Sequence, residues 1–93
     1  MNVLIHAKAA DDLAGIFDWI AKDNPRAAVG TVRRLRERIG RLGTPGLAHI
    51  GRPGLVDGTR ELVEPPYIIV YRVYDDRQEL IVLAIFHAAQ NRE

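Results

Sequence analysis

Residues 59–87 read TRELVEPPYIIVYRVYDDRQELIVLAIFH and contain three strand-like runs separated by two short breaks. The runs are residues 59–64, 67–74 and 79–87, with a Pro-Pro pair at the first break and an Asp-Asp-Arg triplet at the second. Connections this short join only antiparallel neighbours. The segment therefore predicts three consecutive antiparallel strands.

The residues before this segment show helical periodicity instead. One apolar stripe in the first predicted helix is formed by Ala9, Leu13, Ile16, Phe17 and Ile20. Trp19 lies beside that stripe, so we expect it to flank the core or a groove.

A second helix is predicted after the break at residues 23–25. Asn24 is suited to cap it, and Pro25 fits its first position, where no N–H is needed. Its apolar face is spaced 4-3-4-3 and consists of Ala28, Val32, Leu35, Ile39 and Leu42. Gly43 is expected to close the helix in a left-handed conformation. So short a break makes the two helices an antiparallel hairpin.

A short apolar run at residues 2–6 predicts an N-terminal strand, and the glycine- and proline-rich residues 44–58 predict a surface loop. The order βααβββ, with no repeat or linker, indicates a single α+β domain over residues 1–93. We expect an antiparallel sheet packed against the helical hairpin.

Composition excludes several classes of function. The chain has no cysteine and no serine, and its three histidines lack ligand-like spacing, so we expect no metal, no cofactor and no protein nucleophile. The longest apolar run is too short to span a membrane, and the start MNVLIHAK lacks a secretion signal. These features favour a cytoplasmic protein.

Charge is unevenly distributed although the net charge is only +1. Residues 25–60 carry eight arginines against Glu37 and Asp57. Such a basic centre suits phosphate or an acidic partner, while the simpler interpretation is a solvated arginine face on a helix.

One reaction remains compatible with these residue types. A ribonuclease that uses the 2′-hydroxyl of RNA needs only a general base, a general acid and cations, and the candidates are His87, Tyr71, Arg60 and Arg72. Strand alternation, however, puts Arg72 and Tyr71 on opposite faces. The structural alternatives are an Arg72 paired with Glu61, Glu64 or Glu79, and a His87 that bonds to backbone at the strand end.

The segment FDWIAKDNPRAA and the run from residue 59 to 92 resemble the RelE/ParE superfamily of bacterial type II toxins, over essentially the whole chain. Trp19, Ile20, Ala21 and residues 23–25 match a pattern common in the ParE-like branch. The resemblance implies a toxin encoded beside a cognate antitoxin, with which it forms a hetero-oligomer. ParE-type members poison DNA gyrase, and RelE-type members cut mRNA in the ribosomal A site.

The sequence favours the gyrase inhibitor over the endoribonuclease, and hence a non-enzymatic toxin. Ribosome-dependent members typically carry an arginine where this chain has Ile68, and Arg92 is the only base after His87. Candidate residues for binding the target or partner are Trp19, Arg33, Arg34, Arg60, His87 and Arg92. The alternatives are the ribosome-dependent endoribonuclease and a degenerate relative that only binds its antitoxin. The antitoxin is expected to bring a disordered tail that folds on binding.

Overall fold

Five strands and two helices form the fold in the computed structural model, which describes residues 1–89. Their order is β1 (Asn2–Ile5), α1 (Ala7–Ala21), α2 (Pro25–Arg41), β2 (Arg52–Pro53), β3 (Arg60–Glu64), β4 (Tyr67–Tyr74) and β5 (Glu79–His87). The predicted α+β fold is confirmed. The bounds of β4 and β5 agree with the sequence prediction, and β3 begins one residue later than predicted.

The strands form one sheet in the order β1-β5-β4-β3-β2. β2 to β5 are antiparallel to their neighbours, as predicted, but β1 lies parallel to β5, so the sheet is mixed. Parallel strands need a long connection. Here the helical hairpin forms part of the connection between β1 and the other strands. β2 is a two-residue strand inside the predicted surface loop.

The start of α2 follows from the sequence, but its end does not follow the predicted pattern. The side-chain oxygen of Asn24 accepts a hydrogen bond from the Ala27 amide at 3.1 Å, and Pro25 is the first helical residue, both as predicted. The prediction for Gly43 is wrong, because the helix ends through a right-handed Leu42 and the positive-φ glycines are Gly46 and Gly58. A glycine is favoured at position 43 by close packing instead, because a Cβ there would lie 2.9 Å from Val3 Cγ2.

The core lies between the helical hairpin and one face of the sheet. Leu13 of α1 and Leu35 of α2 are buried in one cluster with Ile69 of β4. Full burial of such side chains stabilises the fold by about 1.5–3 kcal/mol each.

A bulge in β5 adjusts which residues reach this core. Val70 pairs with Ala84 but Tyr71 pairs with Val82, so Leu83 is an extra residue. Without it, Val82 and Ile85 would point to opposite faces, yet both are buried in the core cluster. The bulge therefore also directs His87, two residues after Ile85, to the helix side of the sheet.

Candidate protein-binding grooves

His87 ends β5 beside Tyr67, the first residue of β4, which is its register partner. The two rings meet edge to face, with centroids 5.6 Å apart and an interplanar angle of 82°. His87 is exposed, and its Nδ1 accepts a hydrogen bond from the Ala89 amide at 3.0 Å. The bond to backbone agrees with the structural alternative proposed from the sequence.

A groove runs from this strand end along α1, and we call it the strand-end groove. It is lined by Lys8, Asp11, Asp12, Gly15, Ile16, Trp19, Tyr67, Ile85, Phe86 and His87. Trp19 is 72% exposed, so its indole is a wall of the groove and not part of the core. Aromatic rings and carboxylates thus dominate the surface around His87.

Asp12 connects α1 to β5 inside this groove. One of its oxygens, Oδ2, lies 2.9 Å from the Ile85 amide, which donates to it, and 2.9 Å from Nζ of Lys8. β1 pairs with β5 only as far as Val82, so Asp12 satisfies a main-chain donor of β5 beyond the end of β1. Sequence analysis missed this bond, which joins residues 73 positions apart.

Arg60 and Tyr71 lie away from His87 along the sheet. They are register partners on β3 and β4, four residues along β4 from Tyr67, which corresponds to about 13 Å. Nη1 of Arg60 donates to the carbonyls of His49 and Gly51, at 3.1 and 2.8 Å. The guanidinium is thereby bonded to the loop before β2.

Tyr71 is fully buried, and its hydroxyl oxygen accepts a hydrogen bond from the Gly51 amide at 2.9 Å. Burial raises the pKa of the Tyr71 hydroxyl above its ordinary value of 10.0, and the Gly51 bond and the Arg60 charge offset part of that rise. A buried hydroxyl with a raised pKa is unsuited to act as a general base at neutral pH. The contacts instead fix the loop to the sheet.

Arg72 lies on the opposite face of the sheet from Tyr71, as strand alternation predicted. Its Nη2 donates to the carbonyl of Asp57 at 2.9 Å. The predicted pairing with an acidic side chain is wrong, since no carboxylate within residues 1–89 forms a salt bridge with Arg72. The three proposed acids have other arginine partners, in the pairs Glu61–Arg52 at 3.1 Å, Glu64–Arg38 at 3.3 Å and Glu79–Arg77 at 3.3 Å.

A second groove, the helix groove, lies along the outer side of the hairpin. Arg33 beside it was predicted as a binding residue on the exposed flank of the hairpin, but the groove itself was not predicted. Its lining residues are Phe17, Val29, Val32, Arg33, Arg36 and Glu37. Phe17 is 36% and Val29 46% exposed, although both are large apolar side chains. The available signal was Val29, an apolar residue outside the core stripe of α2.

The arginines beside the helix groove differ from their neighbours on α2. Arg38 and Arg34 lie 3.3 and 4.0 Å from the carboxylate of Glu64. Arg33 and Arg36 form no salt bridge within residues 1–89. The apolar groove is therefore flanked by two guanidinium groups that are available to a partner.

Neither a metal site nor a membrane-spanning helix is found within the same residues. No three histidine, cysteine, aspartate or glutamate side chains within residues 1–89 are grouped so as to hold a metal ion. No helix in that part of the chain is long and apolar enough to cross a membrane.

Comparison with known proteins identifies the family. Residues 3–92 match the family described as the ParE toxin of the type II toxin–antitoxin system parDE. The chain belongs to the ParE toxin family. The predicted superfamily and its ParE-like branch are thus confirmed.

Individual relatives of this ParE-family chain agree with that assignment. Y4kP of Sinorhizobium fredii (strain NBRC 101917 / NGR234), named as a candidate toxin, is 39% identical over 85 residues, 89% of this chain and 83% of that protein. A solved chain of the chromosomal ParDE toxin–antitoxin system from P. aeruginosa has a TM-score of 0.81 at 30% identity, covering 94% of this chain and 95% of that one. The isolated E. coli RelE toxin shares the fold, with a TM-score of 0.68 at 10% identity over 98% and 87% of the chains.

The residues proposed from sequence for target or partner binding do not form one site in this ParE-family chain. Trp19 and His87 share the strand-end groove, and Arg33 lines the helix groove. Arg34 faces Glu64, and Arg60 is bonded to the loop carbonyls. The prediction for Arg92 lies outside the described residues.

Proposed function

We propose that this ParE-family toxin inhibits DNA gyrase through surface contacts and is neutralised by an antitoxin encoded beside it. Family membership supports the proposal, because gyrase is the target that the resemblance to ParE-type chains implies. We favour gyrase over mRNA as the target because of the chemistry of the surface around His87.

Cleavage of RNA beside His87 would need cations that stabilise the phosphorane. The two strongest candidates, Arg60 and Arg72, have guanidinium groups bonded to main-chain carbonyls of residues 49–57. Arg60 pairs with Tyr71, and Arg72 is the next residue of β4, so both lie about 13 Å or more along the strand from Tyr67, the register partner of His87.

The strand-end groove also carries the wrong charge for a phosphodiester. Among residues 1–89, the charged side chains that line it are Lys8, Asp11 and Asp12, and the lysine is paired with Asp12 at 2.9 Å. Ile68, at the position where ribosome-dependent members typically carry an arginine, is buried on the sheet face away from the helices. These features favour protein recognition over phosphoryl chemistry.

The helix groove supports the second half of the proposal. An apolar floor with Arg33 and Arg36 beside it suits an amphipathic helix with acidic residues along its edges. A disordered acidic tail that folds on contact would bury Phe17 and Val29 and pair with both arginines. We assign this groove to the antitoxin.

The target can be tested by two assays on the same purified toxin. Plasmid supercoiling by gyrase should be inhibited in proportion to added toxin, and primer extension on mRNA under translation should show no new ends. Heat-denatured toxin is the matched control in both assays. Cleaved mRNA with unaffected supercoiling would overturn the gyrase proposal in favour of the endoribonuclease.

A further inference from the structure

The strand-end groove combines exposed aromatic surface with negative charge. Trp19 is the most exposed of the phenylalanine, tyrosine and tryptophan side chains among residues 1–89, and His87 is also exposed, whereas Tyr67, which also lines the groove, is only 7% exposed. A groove of about 600 Å³ lies between them. Contiguous apolar surface of this kind is typical of interaction sites.

The charged side chains of the groove determine whether a cationic or an anionic ligand is favoured. Asp12 is engaged by the Lys8 ammonium and the Ile85 amide. Asp11 forms no salt bridge within residues 1–89, and its carboxylate is exposed. A cation entering the groove would meet an unneutralised carboxylate, whereas a phosphate would be repelled.

The indole of Trp19 is already positioned for a cation. Nζ of Lys22, the residue that caps the C-terminal end of α1, lies 5.4 Å from the ring centroid. This distance falls in the range of cation–π attraction, which is strongest for tryptophan. A guanidinium from another molecule would compete for the same ring face.

The main chain determines how a ligand can bind. Within residues 1–89, β5 has no strand neighbour on the β1 side beyond Val82, and an unpaired strand edge of this kind is a template for an added strand. The Ile85 amide on that edge is, however, occupied by Asp12. An added strand would have to displace this bond, which favours recognition through side chains.

We propose that the strand-end groove docks an apolar segment of a protein partner that carries arginine or lysine. The cation lies over Trp19 and pairs with Asp11, and a neighbouring apolar side chain packs on Ile16 beside the indole. This inference does not depend on gyrase being the target, and it goes beyond the gyrase and antitoxin roles proposed above.

Trp19 is the only tryptophan in the chain, so its fluorescence reports directly on this groove. The probes are the peptide acetyl-LRLRLR-amide, the same peptide with glutamate in place of arginine, and a six-nucleotide oligoadenylate. We expect a saturable spectral change with the arginine peptide and none with the other two. Equal responses to both peptides, a stronger response to the oligonucleotide, or no response to the arginine peptide would overturn the proposal.

Two variants locate the binding. Asp11→Asn should weaken binding of the arginine peptide about 3- to 5-fold, as expected for an exposed ion pair. Gly15→Gln should abolish the response, because Gly15 lines the groove and a Cβ there meets no atom within 4 Å, so the added side chain enters the groove without disturbing the fold. Gly40→Gln is the matched control, since Gly40 is a helical glycine on α2 with equally open space. If Gly15→Gln showed the same spectral change as the wild-type chain, the peptide would bind elsewhere and the assignment to this groove would be wrong.

Discussion

The two grooves share one helix but are opposite in charge. α1 contributes Phe17 to the helix groove and Asp11, Gly15 and Trp19 to the strand-end groove. The helix groove is lined by Arg33, Arg36 and a single acid, Glu37, whereas the strand-end groove is lined by Lys8, Asp11 and Asp12. Within residues 1–89, neither of these arginines nor Asp11 forms a salt bridge. No partner segment of a single sign suits both surfaces.

The difference shows why the net charge of +1 says little about partners here. Positive groups concentrate on α2, and those that face β3 are already neutralised by Glu64. What a partner meets is the charge left unpaired beside each apolar surface. Function in such a small domain therefore depends on which side chains the fold leaves without partners.

The largest effect is expected from a substitution that destabilises α1, the helix that contributes to both grooves. Leu13 is 2% exposed and packs in the core, so Leu13→Ala should lower the free energy of unfolding by about 2–5 kcal/mol. Denaturant titration measures the loss. The exposed Val29→Ala is the control and should change stability by no more than about 0.5 kcal/mol. Equal effects of the two substitutions would mean that α1 does not pack as described.

The next largest effect separates the grooves by charge. Reversing both arginines, Arg33→Glu with Arg36→Glu, should weaken binding of the neighbouring antitoxin about 100-fold, because each replaces an attraction with a repulsion. Isothermal titration of the purified toxin with the antitoxin gives the dissociation constant.

The matched control for this pair is Arg26→Glu with Arg41→Glu, which makes the same change of net charge on α2 outside the helix groove. It should reduce affinity far less. Similar losses for the two double variants would show that the antitoxin responds to overall charge and not to this groove.

Much of the fold was predictable because it follows from local patterns. The Pro-Pro and Asp-Asp-Arg breaks gave the bounds of β4 and β5, and Asn24-Pro25 gave the start of α2. The parallel pairing of β1 was missed, because a four-residue apolar run does not indicate which strand it pairs with or in which orientation. The bulge at Leu83 was missed for a similar reason, since no glycine marks it.

The candidate sites were less predictable because they depend on contacts between distant segments. Strand alternation correctly separated Arg72 from Tyr71. It could not show that the Arg72 guanidinium bonds to the Asp57 carbonyl, since loop conformation decides that contact. The unpaired state of Arg33 has the same origin, because Glu64 faces Arg34 and Arg38 only once α2 packs beside β3.

A smaller effect sharpens the description of the strand-end groove. Asp12→Ala removes a charged acceptor from the Ile85 amide and should lower stability by about 1.5–3 kcal/mol. Lys8→Ala removes only the exposed ion pair with Asp12 and should cost no more than about 0.5 kcal/mol. Thermal unfolding of both variants measures the difference. If Lys8→Ala were as damaging as Asp12→Ala, the ion pair and not the bond to β5 would be the stabilising contact.

The smallest effect is expected at Tyr71, which lines neither groove. Tyr71→Phe leaves the Gly51 amide without its acceptor and should lower stability by about 1 kcal/mol at neutral pH, with peptide and antitoxin binding unchanged. Alkaline pH adds a second test. Because the folded pKa of Tyr71 lies above 10.0, the unfolded chain loses this proton first, so the contribution of Tyr71 to stability is complete below pH 10 and is lost as pH rises through its folded pKa.

Denaturant unfolding of both proteins between pH 9 and 11 measures this contribution. The stability of the wild-type chain should fall more steeply with pH than that of Tyr71→Phe, so the difference between them should narrow. Tyr67 and Tyr74 remain in both proteins and cancel in the comparison. Parallel curves would mean that the Tyr71 hydroxyl ionises equally easily in the folded and unfolded states, which its burial against Gly51 argues against.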